Sequence, residues 1–188
     1  MKNENIVEEI RKFVEGECKK PASKYGYEPY EFHFVPMVKY AKILAEKLNA
    51  EIEVVEIAAW LHDIGSIING RKEHHITGAK IAEKKLIELN YPKEKIGKIK
   101  KCIFNHRGSV NNGKTTIEEK IIADADSLST FDNLPGIFKA AFIYENQTQG
   151  EAKKTTLKKL EGHWNKLSFP ESRKLIKPKY DAAILLFG

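Results

Sequence analysis

Val54-Val55-Glu56-Ile57-Ala58-Ala59-Trp60-Leu61-His62-Asp63-Ile64-Gly65 is an almost continuous apolar run that ends on two adjacent residues of the metal-ligand kind. A helix that is apolar nearly all round belongs at the centre of a bundle. The stretch therefore predicts a central helix from about Val54 to Ile64, with Gly65 as a natural stop. An imidazole and a carboxylate buried there cost on the order of several kcal/mol unless each is paired or holds a cation. The doublet His62-Asp63 is thus hard to explain as packing alone.

Outward from this run the chain reads as helix. Ile6, Val7, Ile10, Phe13 and Val14 recur at helical spacing and give a first helix over residues 4–18. Pro21 to Glu31, with Gly26, Pro29 and several Tyr, reads as a loop. A second helix covers Phe34 to Leu48, with His33 at its entrance and Pro36 in its first turn, where a missing N–H costs little. Past the doublet, Ser66 to Glu73 is expected to be irregular around the turn signal Asn69-Gly70. Helices follow over His74 to Leu89, Pro92 to Asn105 and Thr116 to Phe131, and Ser109 to Lys114 is a polar loop. Thr116-Ile117-Glu118-Glu119 has the form of a capping box. The remainder predicts an aromatic, Ala-rich helix (Ile137 to Tyr144), a strongly basic one (Glu151 to Leu167) and a last one interrupted at Lys177-Pro178. Nothing alternates with period two for long enough to demand a sheet. The expected fold is all-α, a bundle of roughly eight or nine helices, forming one domain over 1–188.

No stretch is long and apolar enough to span a bilayer, and the polar N-terminus is unlike a signal peptide. Two cysteines without metal-type spacing, Cys18 and Cys102, fit a reduced, cytoplasmic setting. The net charge of +6 favours anionic partners. The lysines are dispersed among glutamates at helical spacing, however, which favours solvated helix faces over nucleic-acid binding. A small phosphorylated molecule needs only a few of them. No membrane partner is expected, and a homo-oligomer stays open.

The residues of metal-ligand type are His33, His62, Asp63, His74, His75, His106, Asp124 and Asp126, and every His except His163 is among them. In a bundle, such side chains from facing helices can converge on one core site. Imidazole with carboxylate suits borderline or hard divalent ions such as Mn, Fe, Zn, Co or Ni. Taken singly, each has a plainer reading: His33 as a cap, His74-His75 as a solvated pair, His106 as a helix C-terminal cation, and Asp124 or Asp126 as a structural acceptor. The joint pattern favours a site.

The order His33, His62-Asp63, Asp126 resembles the HD-domain superfamily of metal-dependent phosphohydrolases. Leu61-His62-Asp63-Ile64-Gly65 is similar to its signature. Glu73-His74 with Gly78-Ala79, Asn105-His106, and Ala123-Asp124-Ala125-Asp126-Ser127-Leu128 fall where that family has its later motifs, over residues 30–135. The resemblance implies a helical bundle, completed by residues 136–188, in which His33, His62, Asp63 and Asp126 hold one divalent ion, Mg among the options. His74 and His106 match the residues that hold a second ion in two-metal members, with Asp63 bridging. His75 is the alternative to His74. Helical periodicity marginally favours Asp124 for the last ligand, whereas the resemblance favours Asp126.

Two departures limit what is carried over. Single-metal nucleotidases of the family have an acid three residues after the doublet, and its cyclic-dinucleotide phosphodiesterases have a Lys; here Ser66 stands there. The phosphodiesterases also have Gly-Tyr-Pro after the later His, where this chain has Arg107-Gly108-Ser109. The expected activity is hydrolysis of a phosphate ester or phosphoanhydride in a nucleotide-like small molecule. Asp63 would position the nucleophile and Arg107 would clamp phosphate, with Arg71 and Lys72 as weaker clamps and Tyr25, Tyr27 or Tyr30 as an aromatic wall. The competing readings are a regulatory module that binds metal or nucleotide without turnover, and a di-iron oxygenase on the same scaffold.

Overall fold

The computed structural model describes residues 5–107 and 113–188, so part of the loop expected at Ser109 to Lys114 lies outside the described residues. The helices are α1 (Ile6–Lys19), α2 (Val35–Lys47), α3 (Ile52–Leu61), α4 (Ile64–Asn69), α5 (His74–Glu88), α6 (Lys93–Asn105), α7 (Ile117–Thr130), α8 (Leu134–Lys139), α9 (Gln149–Lys166) and α10 (Pro170–Phe187). A π-helical turn, Tyr30–Phe34, leads into α2, and a second, Ala140–Tyr144, follows α8. The described residues contain no strand, and the fold is an all-α bundle. No described helix is long and apolar enough to cross a membrane.

The apolar run forms the centre of the bundle. Val54, Val55, Ile57, Ala58, Ala59, Trp60 and Leu61 are all buried, and α3 packs against α1, α2, α6 and α7. A helix with so little polar surface is stable only where neighbours remove it from water on every side. Around it α2 lies on α7, α4 on α5 and α5 on α6, while α9 lies on α7 and α10 on α9. Buried residues from Ile10 in α1 to Ala183 in α10 join one apolar core.

The expected central helix ends three residues early. His62 closes α3, and Asp63, at φ −110° and ψ 13°, breaks the chain direction before α4 begins. The first half of the stretch read as irregular, Ser66 to Asn69, is therefore helix, residues 70–73 form the expected turn, and Gly65 lies inside α4 instead of stopping α3. Its small size serves a close approach: a Cβ at Gly65 would collide with the His74 carbonyl, the Gly78 amide and the Thr77 hydroxyl. Gly78, facing it from α5, lets α4 sit tightly on the start of α5. Gly70, at φ 87°, ends α4 in a conformation that glycine adopts without strain.

Three other expectations are corrected. Pro178 does not interrupt the last helix, which runs unbroken from Pro170 to Phe187. The residue is exposed, so water can satisfy the carbonyl that its ring deprives of a partner. At Thr116 only half of the capping box forms. The Thr116 hydroxyl accepts from the Glu119 amide, but the Glu119 carboxylate turns to the Thr115 amide and the Asn105 side chain, tying α6 to α7. The complete box is Thr148 with Glu151, at the start of α9. Tyr30, expected in an aromatic wall for a ligand, is instead buried and stacked on both Tyr27 and Trp60, and Arg11 of α1 donates to its hydroxyl.

Candidate metal centre

Six side chains meet where α3, α4, α5, α6, α7 and the π-turn before α2 converge. The π-turn supplies His33, the α3–α4 break His62 and Asp63, the first residue of α5 His74, the end of α6 His106, and the middle of α7 Asp126. Nε2 of His33 lies 2.9 Å from Nε2 of His62, and Nε2 of His74 lies 3.3 Å from Nε2 of His106. Asp63 stands between the two pairs. Its Oδ2 is 3.8 Å from His33 Nε2 and 3.9 Å from His62 Nε2, and its Oδ1 is 3.3 Å from His74 Nε2 and 3.7 Å from His106 Nε2. Oδ1 of Asp126 approaches only the first pair, at 3.6 Å from His33 and 3.9 Å from His62.

The far side of each imidazole fixes which nitrogen carries the proton. Nδ1 of His62, His74 and His106 donates to the carbonyls of Ala59, Arg71 and Ile103, which can only accept. Nδ1 of His33 meets the Ser129 hydroxyl at 3.0 Å; that hydroxyl donates to the Asp126 carbonyl, so it accepts from His33. All four Nε2 atoms are thereby left as lone pairs aimed inward. Facing lone pairs at 2.9 Å repel unless a cation sits against them. Oδ1 of Asp63 is likewise buried without a hydrogen-bond partner. Asp63 caps α4 by position only, since its side chain makes no capping bond and both oxygens stay turned to the cluster.

This donor set fits divalent cations. Ligand atoms bonded at about 2.1 Å to one ion and adjacent in its shell lie about 3–3.5 Å apart; the atoms here lie 2.9–3.9 Å apart, close enough that small side-chain shifts bring them onto an ion. The protonation states suit as well. Burial pushes the His62 imidazole down to about 4 against the opposing pull of Asp63, so it is neutral at pH 7. Burial works to raise Asp63 and Asp126, but the facing imidazoles outweigh it and hold both below the usual carboxylate range. Burial likewise works to lower His106, but Asp63 more than offsets it and favours the imidazolium, so a cation entering there takes the place of a proton. His62 is wholly enclosed while the side chains of Asp63 and Asp126 are each 27% exposed, so the cluster opens to solvent on its carboxylate side.

The alternatives separate cleanly. His75 takes no part in the cluster: its ring packs on Phe104 and stands edge-on to His74. Asp124 is buried on the other side of α7, where its carboxylate accepts from the amides of Ser168 and Phe169 and from the Ser172 hydroxyl, capping α10 from outside. Arg107 lies half-buried at the end of α6, where its charge bears on His75, and among the described residues it makes no hydrogen bond or ion pair with the cluster. Ser66 is buried in α4. Sequence reasoning missed Ser129, whose signal was its place one turn after Asp126, and His163, the one histidine set aside.

Residues 30–130, more than half of the chain, match the family model described as HD domain. Two curated relatives are archaeal proteins named tRNA (cytidine(56)-2'-O)-methyltransferase. That of Picrophilus torridus is 28% identical over 134 residues, which are 64% of this chain and 37% of that protein. That of Thermoplasma volcanium is 33% identical over 116 residues, 58% of this chain and 34% of that protein. The matched region thus spans little more than a third of either relative. Among solved structures, Bacillus subtilis YpgQ in complex with ADP superposes with a TM-score of 0.73 at 19% identity, covering 96% of this chain and 93% of that one. The Lin1889 protein of Listeria innocua gives 0.75 at 18% identity over 100% and 94% of the two chains. A protein described as a predicted HD superfamily hydrolase, from an uncultured Thermotogales bacterium, gives 0.59 at 22% identity over 94% and 95%. At these identities the likeness is one of fold.

Proposed function

Because the chain belongs to the HD domain family and its motifs resemble those of metal-dependent phosphohydrolases, we propose that it hydrolyses a phosphate ester or phosphoanhydride of a nucleotide-like small molecule. The observation that carries this reading is Asp63, whose two oxygens face two separate histidine pairs, one of them lying buried without a hydrogen bond. His33, His62, Asp63 and Asp126 would hold one divalent ion, and Asp63, His74 and His106 a second. Ions held there would acidify a water and neutralise phosphoryl charge. Asp63 orients the attacking water and can take its proton. The partly exposed faces of Asp63 and Asp126 define the side on which substrate enters. Arg107, two residues past the end of α6, would serve as the clamp for a phosphoryl oxygen. YpgQ, whose fold this chain shares, has been solved with ADP, which supports a nucleotide-like ligand. The two unpaired cysteines, both buried, support a reducing, cytoplasmic setting.

The test is a screen of nucleotides and phosphodiesters with Mn, Co, Ni, Mg and Fe supplied in turn. Hydrolysis that disappears in His62→Ala and Asp63→Ala is the expected result. A metal-loaded protein that cleaves none of them sinks the reading. The convergence of all six residues also favours a second reading, a di-iron oxygenase. That protein would turn over only with Fe and dioxygen and show the absorption of an oxo-bridged iron pair.

A further inference from the structure

The basic helix α9 bears on the open side of this centre. Ala152, Thr156 and Leu160 are buried against the bundle, where α9 packs on α7, the helix that carries Asp126. Lys159 and His163 share one edge of that face, one turn apart. The Asp126 carboxylate acts on both, and the charge of His33 reaches His163. Nδ1 of His163 is buried and has no hydrogen-bond partner. From the opposite wall, the loop between α4 and α5 brings Arg71 within range of Lys159, while its carbonyl holds the ring of His74. Among the described residues neither Lys159 nor Arg71 forms a hydrogen bond or ion pair through its side chain; Glu145 lies within electrostatic range of Lys159 only. Lys159 and Arg71 both stand at the surface, with the guanidinium acting on the ammonium. Two cations that repel each other beside a cluster of metal-type ligands, with an unpartnered imidazole next to them, are stabilised when an anion sits between them. This is more positive charge than one phosphoryl group at the cluster requires.

We propose that Lys159 and His163 of α9, with Arg71, form a subsite for a second phosphate next to the metal centre, so that the chain takes phosphoanhydride substrates such as nucleoside di- or triphosphates in preference to monoesters. The proposal rests on reading the cluster as a phosphohydrolase centre. Lys159 and Arg71 each bind a distal phosphoryl oxygen, and His163 supplies a hydrogen-bond donor between them.

Isothermal titration of the Mn-loaded protein with methylenediphosphonate and with methylphosphonate, each premixed with Mn, tests this directly. Wild type is expected to bind the diphosphonate about tenfold or more tightly than the monophosphonate, the worth of one or two charge-assisted hydrogen bonds. Lys159→Gln and His163→Gln should each erase most of that preference while leaving Mn content and methylphosphonate affinity unchanged. Lys158→Gln, an exposed neighbour on the same helix, should change nothing. Equal binding of the two probes by wild type, or a preference that survives Lys159→Gln or falls equally in Lys158→Gln, overturns the subsite. If wild type shows the preference yet cleaves nothing in the substrate screen, the hydrolase reading fails and the subsite stands. If it cleaves phosphoanhydrides and Lys159→Gln keeps the preference, only the subsite fails.

Discussion

Oδ1 of Asp63 lies 3.3 Å from Nε2 of His74, and neither atom has a hydrogen-bond donor or acceptor to satisfy it other than the cluster itself. The opposite oxygen of the same carboxylate faces His33 and His62. The two half-sites share one residue, so removal of ligands should be asymmetric. His74→Ala is expected to lower bound Mn from two ions per chain to one, His33→Ala to weaken the other ion, and Asp63→Ala to abolish tight binding at both. Elemental analysis after gel filtration checks this. A His74→Ala protein that retains two tightly bound ions contradicts the two-site arrangement.

Ser129 would act on a bound metal through His33. Its hydroxyl accepts from His33 Nδ1 and donates to the Asp126 carbonyl, so it fixes one ligand's tautomer against the helix that bears another. Partners of this kind are worth roughly 10–100-fold in metal affinity. Ser129→Ala should weaken the His33 ion by that factor at nearly unchanged thermal stability, while Ser129→Thr, which keeps the hydroxyl, should recover part of the loss. Titration calorimetry with Mn reads both.

Much of the architecture was legible in the chain because α3 is apolar all round and its neighbours are amphipathic at period 3.6. The break at His62-Asp63 was not, because the helical pattern continues through it and Gly65 resembles a stop. What decides the break is tertiary: α4 has to lie on α5 at Gly65 and Gly78. Periodicity marginally favours Asp124, which does lie on the buried face of α7; only the position of α10 shows that this carboxylate is taken up in structure while the partly exposed Asp126 faces the cluster. His163 was discounted as part of a basic, solvated helix, and nothing local in the sequence reveals that α9 folds back against α7.

Asp124 and Asp126, two residues apart, should therefore fail in different ways. Asp124→Ala leaves the amides of Ser168 and Phe169 and the Ser172 hydroxyl without their acceptor, a loss of about 2–3 kcal/mol in unfolding free energy. Its Mn content should match wild type. Asp126→Ala removes a partly exposed carboxylate from a cluster of lone pairs, so metal-free stability should hold or rise while Mn affinity drops. Urea unfolding in chelator, run beside Mn titration, separates the two. Equal loss of metal in both variants would mean that the two carboxylates are not divided between structure and site.

Gly65 and Gly97 provide a test of the helix contact that sets the doublet's geometry. At Gly65 a Cβ would run into backbone of α5, which cannot rotate away as a side chain can. Gly65→Ala should cost about 3 kcal/mol by overpacking. Because the atoms displaced include the carbonyl of His74, it should also lower the affinity of the Asp63–His74–His106 half-site more than that of the other. At Gly97, on the exposed side of α6, a Cβ meets nothing within 4 Å, so Gly97→Ala should stabilise the protein by about 0.5–1 kcal/mol through reduced chain entropy in the unfolded state. Metal binding should be unaffected. Unfolding curves for the two variants, paired with Mn stoichiometry, decide the matter. A Gly65→Ala protein as stable as wild type would show that α4 and α5 do not approach as closely as the two glycines allow.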